Sequence, residues 1–182
     1  MGTQKKVPRY AEGTNVSIAG SRAEIEKLLM QHDATGFLYG EQGNRAVIAF
    51  ELGGRRYKME LHYRPLSDFQ WTKVNRYSER QRTPAQAKAA YEQEKQRLWR
   101  GLALLVKAKL TAIADGVSTL EIEMQPYTIL PNNQMVGEWL EPQIAEVYRT
   151  GKMPPLLPGA TVSNLKMISG PSDYIEGEVS NG

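Results

Sequence analysis

Between Arg64 and Arg82 the chain interleaves five cations, Arg64, Lys73, Arg76, Arg80 and Arg82, with three aromatic residues, Phe69, Trp71 and Tyr77. Single-stranded nucleic acid is held by cationic side chains that follow the phosphates and by rings on which bases stack, so these residue types along one segment suit that partner. Arg56 and Lys58 before the segment, and Lys88 and Lys95 after it, would extend one basic track. On this reading Arg56, Lys58, Arg64, Lys73, Arg76, Arg80 and Arg82 neutralise phosphate, while Trp71 and Tyr77 stack bases. The same aromatics have a plainer use, which is to pin a long loop to the core while the arginines stay in water. No helix-turn-helix, zinc-finger, KH or RRM signature accompanies the segment.

Other constellations are thinner. Glu60 and His62 alternate by two and would project from one face of a strand, but a metal site needs three or four ligands and the other histidine, His32, falls at a helix end. Glu60 is better employed pairing with a neighbouring cation. Glu121 with Glu123, and Asp68 with Glu79, could be presented as paired carboxylates for acid-base or two-metal chemistry, yet nothing in their spacing fixes a geometry. No G-x-S-x-G elbow is present, and Gly53-Gly54 lacks the lysine and helix that a phosphate-binding loop requires. No cofactor, metal site or catalytic set is therefore expected.

The elements that must position these residues follow from periodicity. Ser21-Arg22-Ala23-Glu24 has capping-box spacing and predicts a short helix carrying Ile25, Leu28 and Leu29 on one stripe. From Phe37 to Arg64 the pattern alternates around two turn signals, Gly43-Asn44 and Gly53-Gly54. The second turn would set Phe50 opposite Tyr57, Ile48 opposite Met59 and Ala46 opposite Leu61; the first would set Phe37 opposite Phe50 and Tyr39 opposite Ile48. Apolar then meets apolar on one face, with the short helix as its cover, and Glu51, Arg56, Lys58, Glu60, His62 and Arg64 occupy the other.

Residues 65–82 lack periodicity and read as a long loop. Thr83-Pro84 then starts a long helix that Gly116 stops. Its second half, from Leu98 to Ile113 and including Leu105, reads as core, and Lys88, Lys95 and Arg97 lie on the more exposed first half. Ser118-Thr119-Leu120-Glu121 predicts a short helix toward Gln125, and a small hairpin turns at Pro131-Asn132-Asn133. A last helix carries Trp139, Leu140, Ile144, Val147 and Tyr148, with Pro142 implying a kink or a start just before it. The fold class is α+β: a short helix covering a three-stranded antiparallel sheet, then a long spine helix, a small hairpin and a C-terminal helix. The expected organisation is a single domain over residues 1–158 with a flexible arm over about residues 1–12, and a flexible tail over residues 159–182.

Composition narrows the setting. The 182 residues are 41% hydrophobic and 24% charged, a globular profile, and contain no cysteine. No apolar run approaches a membrane span, and Met1 to Tyr10 is polar and basic with no apolar signal core, so no membrane role is expected and the expected location is the cytoplasm. The net charge of +3 conceals an uneven distribution: residues 1–54 are neutral, residues 55–109 carry +9 and residues 110–182 carry −6. Such a basic middle bears on partners and says little about fold. Its plainer account is neutralisation by the acidic last third.

Four segments, Ser21 to Leu29, Arg97-Leu98-Trp99-Arg100 with Val106 to Leu110, Leu130 to Leu140 with its Gly137-Glu138-Trp139-Leu140, and Gly151 to Pro158, resemble a group of uncharacterised bacteriophage and prophage proteins. The resemblance spans roughly residues 12–158. It supplies no activity and no catalytic residue; it implies a mobile-element context, inside a host cell, where small proteins handle nucleic acid or obstruct host defence. The expectation is a phage- or prophage-encoded, non-enzymatic nucleic-acid-binding accessory protein that favours single strands. The alternative is a binder of host protein, of anti-defence type, using its charged surfaces or the strip Met153-Pro154-Pro155-Leu156-Leu157-Pro158. Oligomeric state is not legible.

Overall fold

A computed structural model describes residues 9–75 and 77–152. The chain divides into two compact units at the Glu141/Pro142 step. The first is α+β and begins with helix α1 (Ile18–Met30), followed by strands β1 (Thr35–Gln42), β2 (Arg45–Leu52) and β3 (Arg55–His62) in one antiparallel sheet of order β1-β2-β3. A short hairpin, β4 (Trp71–Lys73) and β5 (Glu79–Gln81), precedes the long helix α2 (Pro84–Ala114) and the five-residue α3 (Leu120–Met124). Helix α4 (Val136–Thr150) crosses from the first unit into the second.

The sheet follows its turns. Gly53 and Gly54 both take positive φ (57° and 73°), the backbone of a two-residue turn whose twist matches the flanking strands. That turn fixes Phe50 opposite Tyr57, Ile48 opposite Met59 and Ala46 opposite Leu61, as the alternation requires. Across β1 and β2, Tyr39 faces Ile48, but the register slips between Thr35 and Leu38. Phe37 therefore falls in a bulge rather than in a regular pair with Phe50, and Gly36, at φ 63°, supplies the left-handed residue such a bulge needs.

The inner face of the sheet buries Ala46, Ile48, Phe50, Tyr57 and Met59 in one core with Ile25 and Leu29 of α1 and Trp99, Leu102, Val106 and Leu110 of α2. The first helix packs against α2 as well as contributing to this core. The Trp99 indole N–H donates to the Tyr63 hydroxyl over 2.7 Å, which satisfies the one polar atom of a fully buried tryptophan. Burial pushes the Tyr63 hydroxyl up to a pKa of about 12.

Four local expectations need correction, and one pair of alternatives is decided. Helix α1 starts one turn earlier than the Ser21 motif implies: Ser17 is the cap, its Oγ accepting from the Gly20 amide at 3.0 Å. This start brings Ile18 onto the apolar stripe and leaves Ser21 fully buried inside the helix. The cap of α3 is likewise Thr119 rather than Ser118. Residues 65–82 are not a featureless loop but a 3-10 turn over Leu66–Phe69 and the β4–β5 hairpin. Leu105 is exposed, so the apolar stripe of α2 is narrower than its sequence suggests. Of the two alternatives at Pro142, a start just before it is excluded: Pro142 lies inside α4, and the Glu138 carboxylate, accepting from the Met135 amide at 3.0 Å, organises the helix entrance upstream of it.

Helix α2 matches its motif. Thr83 and Gln86 form a reciprocal capping box with Pro84 in the first turn, and the 31 residues make a helix of about 46 Å. The hairpin at 131–133 contracts to a single bridge between Ile129 and Met135. Among the described residues no helix is long and apolar enough to cross a membrane.

Candidate nucleic-acid interface

The segment after β3 is held by one aromatic anchor. Phe69, 5% exposed, packs edge-on against Tyr91 of α2 with ring centroids 5.6 Å apart, and Tyr91 in turn meets Tyr63 edge-on. From that anchor the β4–β5 hairpin projects. The Arg82 guanidinium closes its base, one Nη donating to the carbonyls of Phe69 (3.0 Å) and Trp71 (3.1 Å). Trp71 and Tyr77 are not anchors: they are 53% and 89% exposed.

Between β4, the first half of α2 and residues 9–13 lies a cleft of about 540 Å³. Its lining includes Arg9, Arg64, Lys73, Arg82 and Arg97 against Glu12, Asp68 and Glu94, together with Trp71, Phe69 and Gln93. The N-terminal wall is tied to α2 through the Gln93 side-chain amide, which donates to the Thr14 carbonyl at 2.9 Å. Five cations against three carboxylates leave the cleft positive.

Glu94 organises the cations. Arg97, one helical turn on, grips its carboxylate with two hydrogen bonds of 2.8 and 3.0 Å. Arg9 and Arg64 stand 3.7 and 3.6 Å from the same Oε1, close enough for Coulomb attraction but beyond hydrogen-bonding range. The Arg97 hydrogen bond, and the charges of Arg97, Arg64 and Arg9 behind it, hold the Glu94 carboxyl below its usual range. Arg64 also lies 4.6 Å from the centroid of the Phe69 ring, a cation–π contact that fixes its direction.

The nine residues proposed from sequence divide by location. Arg64, Trp71, Lys73 and Arg82 line the cleft. Tyr77 and Arg80 are exposed on the adjoining hairpin, where Arg80 pairs across the strands with Thr72. Arg56 and Lys58 belong to the outer face of β3 and do not line the cleft; Lys58 is engaged with Glu60 at 2.9 Å, and Glu60 also meets His62 at 3.6 Å. Arg76 lies outside the described residues, as do the strip Met153 to Pro158, most of the expected N-terminal arm and the expected tail.

Sequence reasoning missed Arg9, Gln93, Glu94 and Arg97. The i, i+3 spacing of Glu94 and Arg97 was a usable signal for the helix pair. Arg9 carried none, since only the fold brings the N-terminal segment beside α2. Lys95 is more enclosed than its place on a polar half-helix suggests: it pairs with Glu41 at 2.5 Å and lies over the Tyr63 and Tyr91 rings.

In the other constellations Glu60 and Glu123 are taken up by ion pairs. Lys109 holds Glu123 at 3.0 Å, and among the described residues no group of three or more acidic, histidine or cysteine side chains could hold a metal ion. Within residues 9–141 the basic middle is neutralised mainly from within itself and from the first third, through Glu94, Glu60, Glu92, Glu41 and Glu24. The acidic last third contributes there through Glu123. No family model, curated protein or solved structure matches the chain.

Proposed function

We propose that this is a non-enzymatic nucleic-acid-binding protein, of the accessory kind that phages and prophages encode, and that it takes single strands in the cleft between the β4–β5 hairpin and α2. The observation that carries the reading is the meeting of Arg64, Lys73, Arg9 and Arg97 with a half-exposed Trp71 around one positive cleft. Phosphates are met by guanidinium forks and bases by the indole, and Tyr77 and Arg80 extend the surface along the hairpin. Arg56 and Lys58 contribute less, because Lys58 already serves Glu60 and neither lines the cleft.

Fluorescence anisotropy with labelled single-stranded DNA, duplex DNA and single-stranded RNA tests this. Single strands should bind tightest, and affinity should fall steeply as salt rises from about 50 to about 200 mM, because bound phosphates release counterions. Absence of binding to every class at the lowest salt would overturn the reading.

A second reading, attachment to a host protein, is favoured by α4. Among the described residues none of this helix is buried, although Ile144 and Tyr148 stand one turn apart with both side chains exposed. Such a face suits an apolar groove on a partner. Replacing Ile144 and Tyr148 by serine would then abolish association with a co-purifying host protein and leave strand binding unchanged.

A further inference from the structure

We propose that the cleft is a receptor for the phosphate monoester at the end of a nucleic-acid strand, with the terminal base stacked on Trp71. This rests on the nucleic-acid reading above and specifies the part of the strand that the cleft takes. A phosphodiester inside a strand carries one negative charge and two non-bridging oxygens, whereas a terminal monoester approaches two charges and offers three strong acceptors. The cleft is built for the second. Three guanidiniums, from Arg9, Arg64 and Arg97, converge on the single carboxylate of Glu94, and the cleft as a whole, with Lys73 and Arg82 against Glu12 and Asp68 besides, keeps an excess of two positive charges.

The donors are not equally spent. Arg97 uses its Nε and one Nη on Glu94. Arg9 and Arg64 are drawn to the same carboxylate without hydrogen-bonding it, so their forks remain able to close on a phosphate. The stack of Arg64 on Phe69 sets its orientation in advance, which lowers the entropy lost on binding. Glu94, kept ionised by its cations, holds the positive groups together. Shape agrees with charge: the cleft has three walls, β4, the face of α2 and residues 9–13, and its 540 Å³ falls in the range of small-ligand sites.

The test uses the full chain and one short single-stranded DNA prepared in three forms, with a 5′-phosphate, with a 3′-phosphate, and with hydroxyls at both ends, each labelled at an internal base. One phosphorylated form should bind tighter than the hydroxyl form by roughly tenfold or more, as expected for added charge-assisted hydrogen bonds. Which end is favoured identifies the polarity of the bound strand. R64A and, separately, R9A should erase that advantage, while R80A, outside the cleft, should weaken all three forms alike. Equal affinity for the three forms would overturn the end site and leave the nucleic-acid reading standing. Retention of the advantage in both R64A and R9A would also overturn it. Failure of all three forms to bind would remove both readings.

Discussion

Two clusters of aromatic and cationic side chains among the described residues, one around Trp99 and one around Phe69, have opposite results. Around Trp99, Arg22 lies 4.5 Å from the indole and 5.7 Å from the Tyr39 ring, and Lys95 sits over Tyr63 and Tyr91 while pairing with Glu41. Trp99 and Tyr63 are buried there, Tyr39 and Tyr91 are half-buried against the same core, and Trp99 has no exposed surface. Around Phe69, the same residue types are only half closed. Phe69 is buried under Arg64, but Trp71 and Tyr77 face solvent, and Arg9 and Arg64 approach their carboxylate without bonding to it. Composition is alike in the two clusters; what separates them is how far their rings are covered by protein, and on the function proposed above the half-open cluster is the receptive one.

The sharpest way to break this contrast is to exchange the two tryptophans for alanine. Trp99→Ala empties a fully buried site and strands the Tyr63 hydroxyl, and should cost about 3–5 kcal/mol in urea unfolding. Trp71→Ala should leave unfolding within about 0.5 kcal/mol of the wild type but weaken single-strand binding by about 1–3 kcal/mol. If Trp71→Ala unfolds the protein, the hairpin ring belongs with the core and the contrast fails.

A smaller effect follows from Glu94, whose carboxyl is held below its ordinary value of 4.5 chiefly by the Arg97 hydrogen bond. A carboxylate with a depressed pKa in the folded state stabilises that state above the unfolded pKa, and the contribution is lost as pH falls through the folded value. Wild type should thus exceed Glu94→Gln in stability at neutral pH, with the gap closing below about pH 4.5. Denaturant midpoints across about pH 2.5–7, roughly two pH units on either side of the ordinary carboxyl value, would read this directly. The smallest effect is expected at Lys58→Ala: a partly exposed pair with Glu60 contributes about 0–1 kcal/mol to stability, and strand affinity should change little.

Much of the first unit was legible because local rules and packing agree there. Gly53-Gly54 and the alternation of Phe50, Ile48 and Ala46 specify one register of β2 against β3, since a slip by one residue would expose the whole apolar face. Thr83-Pro84 and Gln86 specify the start of α2. The Ser21 motif misled because two serines stand one turn apart and either could cap the helix; the packing of a half-buried Ile18 against the core goes with Ser17 as the cap. The hairpin at 71–81 was hidden because its strands are three residues each, too short for alternation to register. The cleft was half legible. Arg64, Trp71, Lys73 and Arg82 share one stretch of sequence, whereas Arg9 and the Glu94–Arg97 pair reach it only through the packing of distant segments.

The central claim, that the half-open cluster is the binding surface, is tested most directly by titrating labelled single-stranded DNA with wild type and with the R64A/W71A double variant across a series of salt concentrations. The account predicts tight, salt-dependent binding by the wild type, with the double variant weaker at every salt and its log–log salt slope shallower by about one phosphate contact. Equal affinity and equal slope in the two proteins would contradict it.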